Sequence, residues 1–88
     1  MVRIKDGKPG PVEVWLTQQG RTGIACKAIG EDGTVTEYEI DAPSMRGAQR
    51  EITHWLIKLK GYTPLGRWET RAGDDGQPIE SMRRFRTA

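Results

Sequence analysis

The sequence predicts an α+β fold: an antiparallel sheet of four to five strands packed on one amphipathic helix, in the order β-β-β-α-β(-β). Three observations carry this prediction. Residues 12–40 alternate apolar and polar side chains in short runs, the period of half-buried strands. Residues 44–61 instead repeat apolar side chains at steps of three and four, the period of a helix. Two glycine-bounded turns, Gly30-Glu31-Asp32-Gly33 and Gly73-Asp74-Asp75-Gly76, mark chain reversals on either side of that helix.

Residues 1–11 read as a flexible N-terminal arm, because Lys8-Pro9-Gly10-Pro11 removes backbone donors and resists regular structure. The single α+β domain then spans residues 12–88. Val12, Val14 and Leu16 alternate with Glu13, Trp15 and Thr17, which predicts the first strand. Gln18–Arg21 reads as a turn. Thr22–Ile29 follows with Ile24, Cys26 and Ala28 on one face and mild residues on the other, so its register is weakly specified. Thr34–Ile40 is the third strand of an antiparallel meander, with Tyr38 and Ile40 on one face and Glu37 and Glu39 on the other.

The helix is expected to run unbroken over Ser44–Gly61. Asp41 or Ser44 can cap it by accepting from free amide groups, and Pro43 suits a first turn. Gly61 is the expected stop, and Lys58 and Lys60 complement the negative end of the helix dipole. Met45, Ala48, Ile52, Trp55, Leu56 and Leu59 form its expected core face. Arg46, Arg50, Thr53, Ile57 and Lys60 share another face. Tyr62–Gly66 reads as a connector, Arg67–Ala72 as a strand, and Ile79–Phe85 as a returning strand whose first residues Pro78 limits to an edge.

With 88 residues the chain makes one domain, which buries roughly 60–65% of its unfolded surface. A hydrophobic content of 35% is that of a folded soluble protein. No apolar run approaches the length of a membrane span, and MVRIKDGKPG lacks the apolar stretch of a signal peptide. One cysteine cannot form an internal disulfide, which points to a reducing, cytoplasmic setting. The net charge of +2 is unevenly laid out. Residues 31–41 carry five acidic and no basic side chains, while residues 43–61 carry a local charge of +3. The chain is dipolar more than basic, and a non-specific binder of nucleic acid usually shows a stronger and more uniform excess.

Chemistry finds little purchase in the sequence. A nucleophile–base pair needs a histidine, and the sole candidates are His54 with Cys26, read as a boundary histidine and a buried thiol. One His and one Cys complete no tetrahedral metal site. Glu37/Glu39 read as a solvated strand face and Asp74/Asp75 as turn residues. Neither glycine pair has the Lys, Ser/Thr and following helix of a phosphate loop. No enzymatic activity, cofactor, metal or small-molecule substrate is therefore expected.

Binding fits better. Trp55 and Trp68 read as core residues, whereas Trp15 lies on the face opposite Val12, Val14 and Leu16, open to solvent, to the arm or to a partner chain. The basic groups fall into two sets, Arg46, Arg50 and Lys60 on the helix and Arg83, Arg84 and Arg86 near the C-terminus. Ile57 within the basic stripe favours a protein surface, since an apolar residue among cations suits a mixed interface. The expectation is a small non-enzymatic accessory protein. It would bind a protein partner, or itself, through Arg46, Arg50, Thr53, Ile57, Lys60, Arg83, Arg84, Arg86 and Trp15. The alternative is a nucleic-acid-binding module, for DNA more than RNA, that uses the helix cations and the terminal arginines.

Residues 67–87, RWETRAGDDGQPIESMRRFRT, resemble the hairpin of the arm-type DNA-binding domains of tyrosine recombinases. Those carry a W-x-x-R strand, a DG turn and a basic strand ending in phenylalanine and threonine. The resemblance covers about a quarter of the chain. There the hairpin precedes the helix and here it follows, and the middle strand lacks the aromatic and basic face that would read bases. The resemblance implies a leaning toward nucleic acid and no family membership.

Overall fold

The computed structural model describes residues 11–20 and 23–87. The chain runs β1 (Pro11–Gln19), β2 (Gly23–Ile29), β3 (Val35–Tyr38), α1 (Met45–Trp55), a π-helical turn (Leu56–Lys60), β4 (Thr63–Ala72) and β5 (Pro78–Arg86). The five strands form one antiparallel sheet in the order β3-β2-β1-β5-β4. The fold is therefore the α+β class and β-β-β-α-β-β order that the sequence predicts. Pro11 belongs to β1 and not to the expected arm; residues 1–10 lie outside the described residues.

Register follows from the pleat. In β1, Val14 stands opposite Ala28 of β2 and Arg83 of β5, and Leu16 opposite Cys26 and Ser81. These positions face the helix, because successive strand side chains alternate between faces. Val14, Leu16, Ile24, Cys26, Ala28 and Phe85 from the sheet meet Met45, Ala48, Ile52 and Leu56 from the helix in one buried core. The intervening residues Glu13, Trp15, Lys27, Met82 and Arg84 lie on the other face, which no element among the described residues covers.

The two glycine turns close their hairpins in the same way. In each, the first glycine donates to the carbonyl four residues on, at 2.8 Å from Gly30 to Thr34 and 2.8 Å from Gly73 to Gln77. An aspartate Oδ1 accepts from the backbone two residues later, Asp32 from Thr34 and Asp75 from Gln77, each at 3.0 Å. The fourth residue takes φ of 88° at Gly33 and 82° at Gly76, a region glycine enters without a Cβ clash.

The helix departs from the expected single α-helix. Ser44 is its cap, its Oγ accepting from the Gly47 amide at 3.1 Å, and Pro43 precedes the cap instead of opening the first turn. After Trp55 the backbone widens into a π turn, and Gly61 ends it at φ 71°. Gly61 N–H donates to Ile57 O at 3.2 Å and Tyr62 N–H to Leu56 O at 3.1 Å, each reaching one residue further back than in an ordinary glycine-capped end. The wider turn stacks residues five apart. Leu59 consequently falls on the row of exposed His54 and is itself 67% exposed, not part of the core face as expected.

Two further boundaries differ from expectation. The third strand is shorter, Val35–Tyr38. The stretch Tyr62–Gly66 is not a connector, because β4 already begins at Thr63 and absorbs Gly66 in an irregularity between Leu65 and Glu69. β5 lies between β1 and β4, and its pairing with β1 begins at Glu80, so Pro78 pairs on the β4 side alone, as expected for its first residues.

Candidate functional site

Helix α1 crosses the sheet so that one flank faces β4 and β5. Polar contacts fix that flank in place. Gln49 Nε2 donates to Ser81 Oγ at 2.8 Å and to Thr70 Oγ1 at 3.2 Å, and the two hydroxyls are 2.9 Å apart. Ser81 is fully buried, and the amide and hydroxyls satisfy one another there. One turn along, Trp68 Nε1 donates to Thr53 Oγ1 at 3.1 Å. Its ring meets Phe85 edge to face, with centroids 6.3 Å apart. Thr53 thus has a structural partner within the fold, and Trp68 joins the rim of the core while keeping part of its ring at the surface.

Arg83 closes the far side. It lies on the helix-facing side of β5, opposite Val14, and its guanidinium sits 5.7 Å from the Phe85 ring centroid. Its Nη2 donates to Gly66 O at 2.7 Å, the backbone that the irregularity in β4 turns toward it. Its Nε is buried without a hydrogen-bond partner in the fold.

Between helix and hairpin runs an open groove of about 470 Å³, lined by Arg46, Gln49, Arg50, Thr53, His54, Ile57, Trp68 and Arg83. Three guanidinium groups line it and no carboxylate does. The apolar elements are the Trp68 ring and Ile57, which is 40% exposed. The structure therefore brings together Arg46, Arg50, Thr53 and Ile57 from the expected helix stripe and joins Arg83 to them. Gln49, His54 and Trp68 complete the groove and were not among the expected binding residues. The alternation Ser81, Arg83, Phe85 held a signal for the strand side, since a core phenylalanine puts Arg83 on its own face.

The remaining expected residues lie elsewhere. Lys60 leaves the stripe at the π turn and places its Nζ 5.8 Å from the Trp55 ring centroid, the stacking that residues five apart adopt in such a turn. Arg84 and Arg86 alternate with Arg83 and lie on the opposite, open face, so the three arginines form no single patch. Trp15 also lies on that face, half-buried, between Lys27 and Met82 in register. Glu13 ties two of these together: Trp15 Nε1 donates to its Oε1 at 3.2 Å and Arg84 Nη2 to its Oε2 at 3.3 Å. The expected covering of Trp15 by an N-terminal arm falls on residues outside those described.

On the other flank of α1 the charge reverses. Tyr38, Glu39, Ile40, Asp41 and Glu51 line a second depression, with Trp55 meeting Tyr38 edge to face at 5.0 Å. Burial raises the Tyr38 hydroxyl above its ordinary range, with Tyr62 and Cys26 adding to the effect. Cys26 is buried in the sheet, and desolvation pushes its thiol up to about 12. A thiol held in that form is a small apolar group and a poor nucleophile.

Among the described residues no three His, Cys, Asp or Glu side chains are grouped as metal ligands, and no helix is long and apolar enough to cross a membrane. No protein-family model, curated protein or solved structure matches this chain.

Proposed function

We propose that this chain is a small non-enzymatic interaction protein that holds an acidic, partly apolar segment of a protein partner in the groove between α1 and the β4–β5 hairpin. The observation that carries this reading is the groove's lining: Arg46, Arg50 and Arg83 with no opposing carboxylate, next to the apolar surfaces of Ile57 and Trp68. Guanidinium groups bind carboxylates through paired donors, and a desolvating apolar neighbour strengthens such pairs. The Gln49–Ser81–Thr70 triangle and the Trp68–Thr53 bond hold the groove walls before any partner arrives, which lowers the ordering cost of binding.

A nucleic-acid reading has less in its favour. Arg84 and Arg86 point away from the groove, and Glu39, Asp41 and Glu51 on the other flank of the helix repel phosphates. The test is an NMR titration of the protein with a short peptide of alternating glutamate and valine, and separately with a short DNA duplex, both at low salt. Shifts at Arg46, Arg50, Ile57 and the Trp68 indole with the peptide, lost in the double variant Arg46→Glu/Arg50→Glu, support the proposal. Shifts elsewhere, or none, overturn it, and duplex binding without peptide binding replaces it with the nucleic-acid reading.

A further inference from the structure

We propose that the acidic segment taken by the groove belongs to a second copy of this chain, the strip Glu37–Asp41 at the β3 edge, so that copies associate head to tail; this rests on the groove reading above. The two surfaces are complementary in charge and lie at opposite margins of one molecule. β3 is one edge of the sheet, and the groove is walled by β4, the other edge, with β5 beside it. Glu39 and Asp41 line a depression with Glu51 on one flank of α1 and the groove runs along the other flank, so the helix itself stands between a molecule's strip and its own groove.

Number matches as well as sign. Glu37 lies in β3 and Glu39 and Asp41 follow its end; all three are exposed, while Ile40 packs toward the core. Arg46, Arg50 and His54 stand four residues apart on α1, a step of about 6 Å. Three exposed carboxylates can therefore meet two guanidinium groups and an imidazole, each bonded through N–H donors. Within its own chain Glu37 has Lys27 opposite it in register, while no basic side chain lines the depression that holds Glu39, Asp41 and Glu51. The contact joins two different surfaces, so it is heterologous and propagates from copy to copy unless it closes into a ring.

Sedimentation velocity over a concentration series tests this. The 88-residue chain should form species larger than monomer at low salt and lose them as salt rises, because exposed ion pairs are screened. Arg46→Ala/Arg50→Ala retains only the strip, and Glu37→Gln/Glu39→Gln/Asp41→Asn retains only the groove; neutral replacements keep the two altered surfaces from attracting each other. Each alone should be monomeric, with circular dichroism unchanged because all five positions are exposed. Mixed in equal amounts they should give a heterodimer of one copy each and nothing larger. A monomeric parent protein at low salt, self-association by either variant alone, or a mixture without heterodimer overturns the proposal. The glutamate–valine peptide, titrated into the Glu37→Gln/Glu39→Gln/Asp41→Asn variant, separates the two ideas. Peptide binding without self-association refutes the second-copy partner and leaves the groove reading intact. Loss of both refutes both.

Discussion

Leu56 and Leu59 stand three residues apart, and a regular α-helix would bury both. The π turn separates them, leaving Leu56 0% and Leu59 67% exposed. Leu56→Ala removes side chain from the closed core and should cost about 2–5 kcal/mol, transfer and cavity effects together. Full burial of a leucine is worth about 1.5–3 kcal/mol. With a third of its surface shielded, Leu59→Ala should cost only about 0.5–1 kcal/mol. A domain of this size holds about 4–13 kcal/mol in total, so the first change removes a large share of stability and the second hardly registers. At about 4–8 °C per kcal/mol, Tm should fall by about 8–40 °C for Leu56→Ala and by about 2–8 °C for Leu59→Ala. Urea titration of both variants, with an unchanged denaturant slope, measures the difference directly. Equal losses would refute the reasoning. They would mean that α geometry continues through residue 59, which would also return Lys60 to the row of Arg46 and Arg50.

Ser81→Ala should cost about 1–3 kcal/mol, because it removes a shared partner of Gln49 and Thr70 in a closed site. A urea-based double-mutant cycle with Gln49→Ala should show coupling above about 0.5 kcal/mol, and strict additivity would discount the triangle. Gly61→Ala should lose about 1–2 kcal/mol by thermal melting, since φ of 71° crowds a Cβ. Cys26 should resist iodoacetamide at pH 8 in the folded protein and react fully in urea. Its thiol also sets a pH trend. Below about 9 both folded and unfolded chains keep the proton and stability is unaffected; between about 9 and 12 only the unfolded chain loses it, so stability falls. A melting temperature flat across that window in the parent protein, or equally sloped in Cys26→Ala, would contradict the burial of the thiol. Arg84→Ala should change stability by less than about 1 kcal/mol, because its pairing with Glu13 is solvent-exposed.

The alternation of Val12, Val14 and Leu16, the two Gly-x-Asp-Gly turns and the Ser44 to Gly61 helix signals are local, each set by neighbours within a few residues. They determined the order of elements, both hairpin turns and most of the core. They also placed Arg46, Arg50, Thr53 and Ile57 on one helical face, because α periodicity holds as far as Trp55. Beyond Trp55 the tertiary structure decided. The widened turn moved Leu59 out of the core and Lys60 out of the stripe, and no local pattern in LIKLK distinguishes a π turn from an α turn. Strand order was equally remote from local sequence. Only the pairing of β5 with β1 made Pro78–Arg86 a central strand and set Ser81, Arg83 and Phe85 against the helix. That pairing split MRRFR between two faces, sending Arg83 into the groove and Arg84 and Arg86 to the opposite side. A terminal run of arginines looks like one patch in sequence. In a strand its period is two, and which half faces the helix depends on a partner strand some seventy residues earlier in the chain.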